Sequence, residues 1–200
     1  MDILNKLSLI RGSQLTSRRD NIEYLSFGGN PLDDFFHGGI PKGELSEFGM
    51  PLGGEGRLLI LKLLAANMPQ NPFVLWVLGD DNLKINPSSW SAHGIDLSRI
   101  RFAGSIDPIK DLHAVFQESL FKVIILDSIP ALKKESMAFL ATQARVNQLT
   151  ILFVRPYFLR NDRGNIWAGL RTNCWKEPGY HTHRVEIIRG LSPRKLEVAL

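Results

Sequence analysis

The stretch Gly49-Met50-Pro51-Leu52-Gly53-Gly54-Glu55-Gly56 decides how this chain is read. It lies between a short apolar run, Glu44–Phe48, and a run of strong helix formers, Arg57–Asn67, so a strand enters the glycine loop and a helix leaves it. That is the setting of a phosphate loop, G-x-x-x-x-G-K-[ST], whose backbone N–H groups cradle phosphates while the lysine adds a cation and the hydroxyl holds Mg²⁺. Gly49 and Gly54 stand at the two outer glycine positions, but Glu55 stands in the lysine's place and Gly56 in the hydroxyl's. At ~4 Å and an effective dielectric of about 20 a charge pair is worth on the order of 4 kcal/mol, so exchanging attraction for repulsion costs roughly twice that per phosphate charge, before screening. Taking Gly56-Arg57 as the Gly-Lys pair instead puts Pro51 at the first glycine and Leu58 at the hydroxyl, and fails at both. The loop keeps its shape and loses its chemistry.

Strands and helices alternate outward from this loop. Phe73–Leu78 is an apolar run too short for a helix and reads as a buried strand; Arg99–Ala103, Val123–Leu126 and Thr150–Val154 read likewise. Between them, Asn86-Pro87-Ser88 opens a short helix through His93, Asp107-Pro108 opens one to about Leu120, and Lys133–Gln148 is helical. This alternation predicts βαβ crossovers and a doubly wound, mainly parallel α/β sheet flanked by helices. Arg184–Ile188 and Lys195–Val198 flank a Gly-Leu-Ser-Pro turn and predict a C-terminal antiparallel hairpin on the sheet edge. Between Tyr157 and His183 the periodicity disappears, and a long functional loop is expected.

The 200 residues, 44% of them apolar, suit a single domain over 22–200, preceded by an N-terminal arm or helix over 1–21. In that arm Leu4, Leu7, Leu9 and Ile10 are spaced to pack on a core, this domain's or a neighbour's. No run of eighteen apolar residues exists, so no membrane span is expected, and the first residues do not form a signal peptide, so the chain reads as cytoplasmic. A lone cysteine, Cys174, excludes an internal disulfide and a Cys-rich zinc site. The net charge of +4 is uneven: residues 151–200 hold nine Lys/Arg against four acids. Within them Trp167 lies among Arg155, Arg160, Arg163 and Arg171, stacking beside phosphate-neutralising cations, which makes these five the candidate contact to single-stranded DNA or a partner. His181 and His183 share one face of an extended segment but lack a third ligand, so they read as a surface pair and no metal site is expected. Neither G-x-S-x-G nor G-x-G-x-x-G is present.

Several segments resemble the RecA fold over roughly residues 22–155. The run Leu32-Asp33-Asp34-Phe35-Phe36-His37-Gly38-Gly39-Ile40-Pro41-Lys42-Gly43 is similar to the lead-in to the RecA phosphate loop, and Val123-Ile124-Ile125-Leu126-Asp127-Ser128 to its Walker B strand. A closer resemblance is to the degenerate RecA-like group of ImuA proteins and the cell-division inhibitor SulA. It is carried by Phe73–Val77, by Asn86-Pro87 with Trp90 and Gly94–Leu97, and by Leu152-Phe153-Val154-Arg155-Pro156, where RecA ends the strand in a phosphate-sensing glutamine. The tail, Arg184–Gly190 followed by Lys195–Val198, resembles that of ImuA more than the shorter SulA.

The resemblance implies a RecA-like domain that is not an enzyme. Gly49, Gly53, Gly54, Glu55 and Gly56 are its degenerate phosphate loop, and Asp127 its degenerate Walker B acid, read either as a residual Mg²⁺ holder or as a strand-end cap. Asp80 and Asp81 match RecA's catalytic glutamate in neither spacing nor side chain. No cofactor is expected. The implied role is that of an ImuA-like component of translesion synthesis in the SOS response to DNA damage, with RecA and/or translesion polymerase subunits as partners; a homo-oligomer is compatible with it. The alternatives are a SulA-like division inhibitor and a regulator that binds nucleotide without hydrolysis.

Overall fold

A computed structural model of the chain describes residues 22–29, 31–70, 72–80, 85–118, 120–162 and 164–200. The arm over 1–21, Asp81 and Arg163 lie outside the described residues. The expected loop-entry strand is β3 (Leu45–Gly49), and the helix after the loop is α2 (Leu58–Asn67). Before them come β1 (Tyr24–Leu25), α1 (Leu32–Phe35) and β2 (Ile40–Pro41); β1 and β2 pair as a small antiparallel ribbon. After them come β4 (Phe73–Leu78), α3 (Pro87–Ala92), β5 (Ile100–Gly104), α4 (Pro108–Asp111), α5 (His113–Gln117), β6 (Phe121–Asp127), α6 (Lys134–Val146) and β7 (Thr150–Arg155). The chain ends with β8 (Leu170–Lys176), β9 (His183–Arg189) and β10 (Lys195–Val198).

Eight strands form one sheet in the order β10-β9-β8-β3-β7-β6-β4-β5. From β8 to β5 every pairing is parallel; β8–β9 and β9–β10 are antiparallel, the second being the expected hairpin. Strict alternation buries both faces. Val74, Trp76, Val123, Ile125, Leu152 and Val154 point to the face covered by α2, while Leu75, Val77, Ile124, Leu126, Ile151 and Phe153 point to the face covered by α5 and α6. Helix α2 is Leu-rich on nearly all sides because it lies deep in the first of these layers, and Pro69 stops it in a 3₁₀ turn over Met68–Gln70. No described helix is long and apolar enough to cross a membrane.

Two expectations need correction. The helix expected from Asp107 to Leu120 is two short ones, because Leu112 leaves the helical region at φ −122° and ψ 24°. The segment between Tyr157 and His183 is no continuous loop either, since β8 runs through it beside β3. Its run Leu-Arg-Thr-Asn-Cys-Trp-Lys gives no apolar signal, yet Arg171, Thr172 and Asn173 are all buried. Arg171 and Asn173 find partners far along the chain: Glu47 Oε2 accepts from Arg171, and the Asn173 amide exchanges bonds with the backbone N–H and C=O of Leu159. A strand of this kind is invisible to periodicity because its partners lie outside it.

Candidate functional site

The glycine loop leaves the C-terminal end of β3, the end of a parallel sheet where ligands usually bind. Two of its glycines have packing reasons that involve no phosphate. A Cβ on Gly49 would lie 2.8 Å from both Leu159 N and Tyr157 O, and one on Gly56 would run into the Cys174 carbonyl group. The loop is pressed against β8 and the segment after β7, and Lys176 N–H donates to Gly54 O at 2.7 Å, tying the two together. The glycines are thus needed by the fold whether or not the loop ever meets a nucleotide.

Arg57, which fails as a shifted phosphate-loop lysine, is the residue that fills the site. It sits immediately before α2, and its guanidinium clamps Asp127 at the end of β6 in a bidentate pair: Nε donates to Oδ2 at 2.8 Å and Nη2 to Oδ1 at 2.7 Å. Nη2 also reaches Ser128 Oγ at 3.3 Å, and Nη1 the Met50 carbonyl at 3.4 Å. Asp127 further accepts from the indole of the buried Trp76 at 3.3 Å and from the Ser128 hydroxyl at 3.0 Å. Both carboxylate oxygens are therefore engaged, and of the two readings of Asp127 the geometry corresponds to neither bare alternative: it is the anchor of an internal ion pair. A bidentate arginine fork of this kind satisfies a carboxylate without a metal ion.

Glu55 is also held from within. Lys176 Nζ on β8 donates to its carboxylate at 3.0 Å, at a half-exposed position. Glu55 has φ +52° and Ser128 φ +57°, so both connections that flank the Arg57–Asp127 pair carry a non-glycine residue in the left-handed region. Such residues cost on the order of 1–3 kcal/mol each and persist where surrounding structure imposes them. His183, on β9, is buried rather than part of a surface pair with the exposed His181, which corrects the expectation. Burial holds its imidazole below the ordinary histidine range; Glu55 opposes that shift and Lys176 adds to it. Burial pushes the Cys174 thiol up to about 12, which leaves it inert. Among the described residues no group of three His, Cys, Asp or Glu could hold a metal.

The five residues expected to meet DNA or a partner do not form one surface. Arg155 and Arg171 are buried on the α6 face of the sheet and share Glu47: Arg155 Nε donates to Oε1 and Arg171 Nε to Oε2, each at 3.0 Å. Arg155 Nη1 also donates to Ile129 O at 2.7 Å, and Arg171 Nη1 to Arg160 O at 3.2 Å. Their guanidinium groups are anchored by interior ion pairs rather than lying with Arg160 on one exposed surface. Trp167 is half-buried against the core beneath α6. Only Arg160 presents its charge to solvent, bridged to Asp162 at 3.3 Å, and Arg163 lies outside the described residues. Glu47 was missed as a site residue; a carboxylate inside an otherwise apolar strand was its one signal.

No protein-family model matches the chain, and no curated protein matches it either.

Proposed function

We propose that this chain is a RecA-like protein that works by binding rather than by turning over nucleotide, an accessory component of translesion DNA synthesis of the ImuA-like kind. The observation that supports it most is the Arg57–Asp127 pair. A nucleotide-hydrolysing site needs an open acid for its metal and a cation for its phosphates, whereas here the loop's cation and the strand-end acid satisfy each other. Glu55 likewise occupies Lys176, the cation that β8 brings to the loop mouth, so that charge too is already compensated. The partners would be RecA and/or translesion polymerase subunits, as the resemblance implies.

Two measurements test this reading. Adding ATP with Mg²⁺ is expected to leave the melting temperature unchanged within about 1 °C, since only a ligand that binds the folded state raises it. A rise of several degrees supports a nucleotide-binding regulator instead. Pull-down of RecA and of candidate translesion polymerases by the full chain is expected to recover at least one; recovery of none sinks the partner assignment.

A further inference from the structure

A cleft of about 440 Å³ opens on the α6 face, between the β6–α6 connection and the segment after β7, away from the Arg57–Asp127 pair. Ala131, Leu132, Met137, Ile166 and Trp167 make its apolar walls, and Ile166 is 68% exposed. Its polar lining is biased toward donors. Arg155 spends Nε on Glu47 and Nη1 on Ile129 O, and among the described residues Nη2 has no acceptor. Glu47 is the only acid lining the cleft among the described residues, and both its oxygens are already taken by Arg155 and Arg171. Lys134 adds an exposed cation at the first turn of the 13-residue α6, whose N-terminus has no side-chain cap. Asn165, on the same wall, accepts from Trp167 N–H through Oδ1, and its Nδ2 has no acceptor among the described residues.

Donors converging beside an apolar wall fit one kind of occupant. We propose that this cleft is a docking site for a partner peptide that carries a carboxylate next to an apolar side chain. The carboxylate would face Arg155 Nη2, Lys134 and the start of α6, and the side chain would lie on Leu132, Ile166 and Trp167. Nucleic acid fits less well, because beside Trp167 and Tyr157 the walls carry four aliphatic side chains, and the nearby exposed Arg160 is already bridged to Asp162. The inference rests on the reading that the chain acts by binding, but its test uses no partner protein.

The test is a titration of the full chain with N-acetyl-leucine and with N-acetyl-leucinamide, following the Trp167 indole N–H by NMR, assigned from the W167F variant. The acid is expected to give a saturable shift with an affinity about tenfold above the amide's, the size of one charge-assisted hydrogen bond to arginine. Lys134→Glu, on an exposed helix start that tolerates an acid, is expected to weaken the acid about fivefold or more and leave the amide unchanged. Ile166→Asp is expected to weaken both. Equal shifts from acid and amide, no saturable shift, or indifference to Lys134→Glu would each overturn the proposal. So would a short oligo-dT that moves the Trp167 signal at concentrations where the acid does not, which would make the cleft a nucleic-acid surface. A failed pull-down leaves this titration standing, and a flat titration leaves the pull-down standing.

Discussion

Two charge clusters sit on opposite faces of the same sheet, at or near the C-terminal ends of its parallel strands, and they are built differently. On the α2 face, Arg57 and Asp127 form a one-to-one pair whose arginine side chain is 24% exposed. On the α6 face, one carboxylate, Glu47, serves two arginines whose side chains are 7% and 4% exposed. The first joins the end of the glycine loop to the end of β6 and leaves water as a fallback for the cation. The second lies in a dry interior, where each charge depends on the others. Arg155 and Arg171, expected to meet DNA or a partner, are anchored on a buried carboxylate, and Arg57, which fits the loop motif in neither register, pairs with the acid at the end of β6.

The largest effect that separates the two clusters is expected at Glu47. Glu47→Ala strands two buried guanidinium groups and should cost about 3–5 kcal/mol, measured by urea denaturation. Asp127→Ala should cost less, about 1–3 kcal/mol, because Arg57 can turn to water and the loss falls mainly on the buried Trp76 indole N–H left without an acceptor; a double-mutant cycle with Arg57→Met then reads the coupling directly. If Asp127→Ala proves as costly as Glu47→Ala, the contrast between the clusters fails. Smaller still, Glu55→Lys breaks the bridge to Lys176 and sets two cations side by side, at a cost of up to about 1 kcal/mol. It should not restore ATP binding in a thermal-shift assay, since Arg57 still holds Asp127. ATP-dependent stabilisation of that variant would show that Glu55, not Arg57, closes the loop.

The smallest effect concerns pH beneath the loop. The folded chain holds His183 below its ordinary value, so the unfolded chain binds that proton more readily. Stability from this group is therefore fully present above the ordinary histidine pKa of about 6.5 and is lost as pH falls through the folded value. His183→Phe should flatten that part of the stability–pH curve. An unchanged slope would place the acid sensitivity elsewhere.

Much of the sheet was legible because its physics is local. Phe73–Leu78 was read with both ends correct, and the Asn86 cap with Pro87 marked the start of α3 through a short-range bond, Ser89 N–H to Asn86 Oδ1 at 3.4 Å. The candidate site was legible only in outline. Gly49 and Gly54 located the loop, and Asp127 the strand end opposite it, but the bond between Arg57 and Asp127 spans 70 residues and follows no spacing rule. Strand β8 escaped for the same reason, since Arg171 is paired by Glu47 across 124 residues.

What the order of residues determined by itself was the alternation of strands and helices, the terminal hairpin, and the absence of lysine and hydroxyl from the glycine loop over 49–56. Each follows from side chains a few positions apart or from chemistry a residue type cannot supply. Tertiary structure alone decided which charges are spent on each other: Arg57 on Asp127, Lys176 on Glu55, and two buried arginines on Glu47. A charge buried in a low-dielectric interior must find its counter-charge or lose several kcal/mol, and that counter-charge comes from whichever strand or helix the fold brings alongside.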